Sequence, residues 1–168
     1  MRLVYPSEKY LDSYEEARKE YVKHKVDTYS FDDRKEVDIV KKYYNNRNGI
    51  NLKEGYVPAT TYWLVDKGEF IGEISIRHRL NDQLLKRGGH IGYGVRYSKW
   101  GQGLGSKMLS MALKKAKKMG IKKALVTCNE DNIGSARVIE KNGGVLENVI
   151  KVEHDGKLTP TKRYWIEL

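Results

Sequence analysis

The sequence contains few of the residues on which several classes of protein depend. It has a single cysteine, Cys128, which excludes an intrachain disulfide and is typical of the reducing cytosol. Its four histidines, at positions 24, 78, 90 and 154, are scattered and form no metal-ligand spacing with the cysteine. No apolar run approaches the ~18 residues that a membrane span requires. We therefore expect a cytoplasmic protein that binds neither a metal ion nor a membrane.

Acidic residues are too few to balance the basic ones, and the net charge is +10. A basic surface attracts nucleic acid, but it equally attracts a polyphosphate cofactor or an acidic substrate. The densest basic group, Lys114, Lys115, Lys117 and Lys118, lies at the end of a predicted helix, where cations complement the helix dipole. No aromatic RNA-binding motif or recognition helix accompanies it. The sequence therefore disfavours nucleic acid as a partner.

The 168 residues suffice for one domain with a proper core, and we predict a single domain over 1–168. Hydrophobic periodicity predicts helices over 8–23, 32–46, 103–119 and 133–142. It predicts strands over 2–5, 61–65, 70–78, 89–95, 124–128, 145–153 and 163–167, with polar loops at 45–55 and 80–89 and a hairpin turn at 154–157. The order βααβββαβαββ predicts an α/β fold with a mixed sheet, in which strands 89–95 and 124–128 run parallel.

A glycine-rich turn at 101–105 links the strand at 89–95 to the longest predicted helix. Glycines let a ligand approach the main chain, and the N-terminus of a helix favours an anion, so the turn predicts a phosphate site. A P-loop is excluded because Gly105 is followed by Ser106 and Lys107 rather than by Lys and then Ser or Thr. The turn only approaches the G-x-G-x-x-G/A fingerprint of a dinucleotide-binding site. It also lies past mid-chain, whereas that fingerprint normally follows the first strand of a Rossmann unit.

The segment 100–105, W-G-Q-G-L-G, resembles the R/Q-x-x-G-x-G/A acetyl-CoA loop of the GCN5-related N-acetyltransferases, the GNAT family, with Trp100 in the Arg/Gln position. A second block, 132–143, resembles the family's N-x-x-S-x-x-x-x-E-K-x-G motif at the expected distance downstream. Together the two blocks cover 89–146. The resemblance implies the GNAT fold, a mixed sheet whose central strands splay apart and are flanked by helices.

The resemblance also implies the site for the co-substrate, acetyl-CoA. The main chain of the central strand is expected to bind the pantetheine arm as an added strand would, and the amides of the glycine turn are expected to bind the pyrophosphate. The implied acetyl-CoA-binding residues are Gly94, Val95, Arg96, Trp100, Gly101, Gln102, Gly103, Leu104, Gly105, Ser106 and Asn132.

The sequence indicates the proton-donating and proton-accepting groups less clearly than it indicates the acetyl-CoA site. Many relatives carry a tyrosine seven residues after the conserved asparagine as the acid for the leaving thiolate, but this position is Ile139 here. Ser135 is the preferred substitute for this acid because of its position, and Cys128 and water are the alternatives. A serine whose hydroxyl only bonds the local main chain of a helix turn would give the same sequence pattern. The ordinary pKa of histidine suits His90 to act as the base. The other interpretation is that His90 has a purely structural role.

Acceptor-side residues are expected on the strand before the central one. Glu73 is a candidate second base or amine anchor, and alternation places it with Ser75 and Arg77 on a face where solvent exposure is expected. Arg77, His78 and Asn81 are candidates for the acceptor pocket, together with the variable segments 24–60 and 79–89.

The sequence thus predicts an acetyl-CoA-dependent N-acetyltransferase that acts on a small-molecule or peptide amine. The alternative is a non-catalytic acyl-CoA-binding module, which is suggested by the missing tyrosine. The sequence does not fix the oligomeric state, and a homodimer is one of the states that it allows.

Overall fold

A seven-stranded mixed sheet separates two layers of helices in the computed structural model, which describes residues 1–154 and 156–168. The strands lie in the order β1-β2-β3-β4-β5-β7-β6. Their bounds are β1 (Arg2–Val4), β2 (Ala59–Asp66), β3 (Glu69–Arg77), β4 (Ile91–Val95), β5 (Lys123–Asn129), β6 (Val145–His154) and β7 (Lys157–Glu167). The helices are α1 (Leu11–Lys23), α2 (Ile39–Asn48), α3 (Asp82–Lys86), α4 (Leu104–Lys118) and α5 (Ile133–Lys141). The predicted mixed α/β order is confirmed.

The two faces of the sheet bury different cores. On one face α4 and α5 pack aliphatic side chains, among them Met108, Leu109 and Ile139, against the sheet. On the other face α1, α2 and the segment between them cover an aromatic cluster that includes Tyr14, Trp63 and Phe70. The sheet positions the central strands between these layers, so ligand groups can approach them from two chemically different sides.

Three predicted boundaries were wrong, each for a local reason. Helix α2 begins at Ile39 rather than near residue 32, because the Asp38 carboxylate caps it by accepting a hydrogen bond from the Lys41 N–H. The loop at 80–89 contains α3, which is capped in the same way by Asn81. Strand β7 begins at Lys157 instead of residue 163, because it pairs with β6 along its length.

The predicted hairpin turn at 154–157 includes residue 155, which lies outside the described residues. Within residues 1–154 and 156–168, none of the helices has the length and apolarity needed to traverse a bilayer.

Candidate functional site

The strands β4 and β5 run parallel but separate almost at once. A single pair of residues, Ile91 and Val126, joins them in register, and beyond this pair a gap opens in the sheet. Residues 91–95 of β4 all lie opposite β3, but the hydrogen bonds between the two strands involve the even-numbered residues of β4. The bonds at either end show this register, since Arg77 N–H donates to the His90 carbonyl and Arg96 N–H donates to the Ile71 carbonyl. The main-chain groups of the odd-numbered residues 93 and 95 therefore face the gap.

This register corrects part of the predicted pantetheine site. Gly94 directs its main-chain groups toward β3, and its missing side chain leaves room for Tyr29, whose ring a Cβ at position 94 would overlap. Arg96 also pairs with β3, and its buried guanidinium binds Glu20 and Glu69. Of the three predicted strand residues, only Val95 has its main chain in the gap.

The carbonyl of Val95 is itself engaged by the protein. It accepts hydrogen bonds of 2.7 Å from the Tyr21 hydroxyl and from the Trp100 indole N–H. The Trp100 indole therefore contacts the last residue of β4 on the side of the glycine turn, while the N–H of Val95 keeps its direction toward β5. The residue that takes the Arg/Gln position of the loop motif thus has a contact of its own with the central strand.

The glycine turn leaves a helix end open. Gly101 and Gly103 have φ values of 75° and 71°, which favour glycine, and a Cβ at either would meet no atom within 4 Å. Gly103 is the N-cap of α4 and supplies no side-chain cap, so the first N–H groups of this 15-residue helix lack a capping partner. Open space beside unpartnered N–H groups fits a phosphate.

The other predicted turn residues shape the start of α4. Leu104 begins the helix, and the exposed Gln102 donates from Nε2 to the Ser98 carbonyl. Gly105 lets α4 pack closely on α5, because a Cβ there would lie 3.3 Å from Val138 Cγ2. Ser106 accepts hydrogen bonds from the Asn142 amide through both its carbonyl and its hydroxyl, and this contact ties the two helices together.

Ser135 stands at the gap beside a tyrosine that sequence reasoning missed. The Ser135 hydroxyl lies 2.9 Å from the Tyr93 hydroxyl, and this contact joins β4 to the first turn of α5 across the gap. Asn132 caps α5 by accepting a hydrogen bond of 2.9 Å from the Ser135 N–H. Ile139 is fully buried in the core, and Cys128 is a buried thiol whose pKa is raised by desolvation. The sequence signal that could have identified Tyr93 was its odd-numbered position on the central strand.

His90 forms the closed end of the gap. Its ring Nδ1 accepts a hydrogen bond of 3.0 Å from the Leu125 N–H, while the main-chain N–H of His90 donates to the Leu125 carbonyl. Burial, and then the charge of Arg77, lower the pKa of His90. With Nδ1 as acceptor, the neutral ring carries its proton on Nε2 and has no free lone pair unless it releases Leu125.

The predicted exposure of Glu73 was wrong, since the residue is only 2% exposed. The segment between α1 and α2 covers it, and its oxygens accept hydrogen bonds from the Tyr29 hydroxyl at 2.7 Å and the Trp63 indole N–H at 2.9 Å. Burial raises the pKa of Glu73, and the hydrogen bonds from Tyr29, Trp63 and Tyr43 oppose this shift only in part. Alternation predicted the correct face, but not the loop that closes over it.

The three predicted acceptor-pocket residues have different positions. Arg77 reaches the gap and donates from Nη1 to the carbonyls of Gly88 and Gly89. His78 contacts the Thr60 hydroxyl through Nε2. Asn81 caps α3, as described above. Only Arg77 therefore joins Glu73 and Tyr29 on the acceptor side of β4.

Comparisons with known proteins identify the family and the fold. A family model described as an acetyltransferase (GNAT) domain matches residues 3–145. Among curated proteins, no sequence gives a significant match. Solved structures with similar folds include the microcin C7 self-immunity acetyltransferase MccE in complex with acetyl-CoA and AMP, with 19% identity, coverage of 99% of this chain and 91% of that one, and a TM-score of 0.75.

Two further structures concern ribosomal-protein acetylation. A Salmonella typhimurium acetyltransferase that modifies the N-terminal serine of the 50S protein L7/L12 has 20% identity, coverage of 99% and 94%, and a TM-score of 0.74. The L7/L12 α-N-protein acetyltransferase RimL in complex with coenzyme A has 18% identity, coverage of 99% and 93%, and a TM-score of 0.75. The TM-scores show a shared fold, and the family model covers most of the chain. The chain belongs to the GNAT family of acetyltransferases.

Proposed function

We propose that the protein transfers an acetyl group from acetyl-CoA to a primary amine by direct attack. The observation that carries this proposal is the gap between β4 and β5, which has unpaired main chain on one side and the uncapped start of α4 at its open end. Acetyl-CoA supplies an activated acyl thioester. The buried single thiol supports a cytoplasmic location for this chemistry.

The co-substrate is bound mainly by main chain. The N–H groups at the start of α4, with the backbone of Gly101 to Gly103, hold the phosphates, since a helix N-terminus stabilises negative charge. The main-chain groups of Tyr93 and the N–H of Val95 bind the pantetheine amides in the manner of an added strand, since the Val95 carbonyl already accepts hydrogen bonds from Tyr21 and Trp100. Asn132 acts indirectly by fixing the start of α5.

Ser135 is proposed to protonate the leaving thiolate. Its hydroxyl is at the gap, and its main chain is held by the Asn132 cap. The Tyr93 hydroxyl lies within hydrogen-bond distance of Ser135 and can replace the proton that Ser135 gives to the thiolate, after which solvent returns a proton to Tyr93.

Glu73 is proposed as the base, with the Tyr29 hydroxyl as the group through which it is reached. A carboxylate with a raised pKa is suited to accept a proton near neutral pH. His90 stays a second candidate for this role, although it would have to give up its hydrogen bond to Leu125. The acidic limb of the pH–rate profile should disappear in the variant of the true base, Glu73→Gln or His90→Ala.

A non-catalytic acyl-CoA-binding module is the second candidate, because fully buried Ile139 replaces the tyrosine acid of many relatives. Turnover separates the two functions. Calorimetry should detect binding of acetyl-CoA in both cases, but only the enzyme should release free CoA when amines are added. Screening free amino acids, peptides and polyamines by CoA release therefore tests the proposal. Binding without release by any amine would contradict it and favour the module.

A further inference from the structure

Arg77 is a partly buried cation that no carboxylate of residues 1–154 and 156–168 neutralises. Its Nη1 donates to the carbonyls of Gly88 and Gly89 at 2.9 and 3.1 Å. The remaining N–H groups, on Nε and Nη2, have no hydrogen-bond partner among those same residues. Because no fully buried side-chain nitrogen there lacks a partner, these N–H groups are not fully buried and can reach a ligand.

The guanidinium of Arg77 lies over Gly92 of β4. A Cβ at Gly92 would lie 3.7 Å from both Nη1 and Nη2, which is ordinary van der Waals contact, so the missing side chain lets the guanidinium cross β4 at this point. Gly92 directly follows Ile91, the last β4 residue paired with β5. The guanidinium is on the same face of β4 as Tyr29, opposite the face covered by α4 and α5.

The groups around Arg77 do not satisfy its charge. Glu73 lies on the same face of β3, but its two oxygens are taken by Tyr29 and Trp63. The neighbouring Tyr29 is neutral at physiological pH because burial raises its pKa, and His90, whose pKa is lowered, is neutral as well. A planar guanidinium whose Nε and Nη2 are both free binds a carboxylate through two parallel hydrogen bonds.

We infer that Arg77 binds a carboxylate carried by the acceptor, so that the substrates of this protein are amines that also bear an acidic group. The inference rests on the proposed acetyl transfer and narrows its substrate class. It disfavours polyamines, whose positive charges would be repelled by the Arg77 guanidinium. The carboxylate belongs either to a free amino acid or to an acidic residue at the start of a peptide.

Matched acceptor pairs test this inference through CoA release. One arm compares free amino acids with their α-carboxamides, the second compares peptides that begin with Glu or with Gln, and spermidine serves as the cationic probe. We expect kcat/KM of the wild-type protein to favour the acidic member of at least one arm by about 10²-fold. Whichever arm shows the preference identifies the source of the carboxylate.

Variants of Arg77 separate recognition from a structural role. In Arg77→Gln, kcat/KM for the acidic acceptor should fall about 10²-fold relative to that for its neutral partner, so the preference disappears. Arg77→Lys keeps the charge but not the planar fork, and it should retain part of the preference if Arg77→Gln does not fold. Arg79→Gln removes an exposed charge nearby and should keep the full preference. Unchanged calorimetric affinity for acetyl-CoA serves as the check on folding.

Several outcomes overturn the inference while leaving acetyl transfer intact. These are equal rates for the acidic and neutral members of both arms, a preference for spermidine, or a preference that survives in Arg77→Gln and Arg77→Lys. Absence of CoA release with every amine would overturn the proposed function and this inference together.

Discussion

The two faces of the central strand β4 perform different tasks with different kinds of atoms. Toward α4 and α5, the candidate acetyl-CoA site uses main-chain groups, left-handed glycines and an uncapped helix end. Toward α1 and α2, the candidate acceptor site uses polar side chains, chiefly the buried Glu73 and the partly buried Tyr29 and Arg77. A site made of main chain tolerates most side-chain changes but is sensitive to added charge or volume. A site made of buried side chains depends on each hydrogen bond and each charge.

The largest effect is expected from a negative charge at the helix end. Asp and Asn both tolerate the left-handed backbone of Gly103 and have nearly equal volumes. We expect Gly103→Asp to bind acetyl-CoA about 10²-fold more weakly than Gly103→Asn, because the carboxylate repels and replaces the pyrophosphate. Calorimetry on both variants measures the difference. Equal affinities would mean that the phosphates bind elsewhere.

A somewhat smaller effect is expected at the proposed acid. Ser135→Ala should lower kcat by about 10²-fold at most, because general acid catalysis is lost while the acetyl-CoA site is intact. Ser110→Ala, which removes an exposed hydroxyl on α4, is the matched control and should leave kcat unchanged. Normal turnover in Ser135→Ala would reduce Ser135 to a helix-turn hydroxyl and leave water as the proton source.

Tyr93 should have a smaller, dependent effect. Tyr93→Phe removes the hydroxyl 2.9 Å from Ser135, and we expect kcat to fall about tenfold with no change in KM for acetyl-CoA. Because the two hydroxyls act as one unit, the double variant should be no slower than Ser135→Ala alone. Steady-state kinetics of the four proteins measure this coupling. A double variant slowed by the product of both effects would show that the two hydroxyls act independently.

The same difference between the faces explains how much could be predicted from the sequence. The glycine turn and the Asn132 cap are local, so a short motif identifies them and the order of strands around them. Glu73 was expected in solvent because alternation describes a strand without the loop that covers it, here the segment carrying Tyr29. Tyr93 was missed because its partner, Ser135, is 42 residues away in the chain. Contacts between distant segments have no signature in the spacing of residues.

The smallest effect concerns stability on the acceptor face. The folded pKa of Glu73 lies above its unfolded value, so the folded state binds the proton more tightly. Its contribution to the free energy of unfolding is therefore complete below the unfolded carboxyl pKa of ~4.3 and is lost as the pH rises through the folded pKa. Glu73→Gln cannot titrate, so the stability of the wild type relative to this variant should decrease with rising pH. Each unit of the shift corresponds to about 1.4 kcal/mol.

Urea unfolding of both proteins between pH 4 and pH 8 measures this difference, and Glu54→Gln, at an exposed carboxylate, should show no such trend. A relative stability that increases with pH would mean that the hydrogen bonds from Tyr29 and Trp63 stabilise the carboxylate by more than burial destabilises it. In that case Glu73 would stay ionised and act as an anchor for the Tyr29 segment. A decrease would show instead that the acceptor face keeps a carboxyl group ready to exchange a proton near neutral pH, as the proposed base requires.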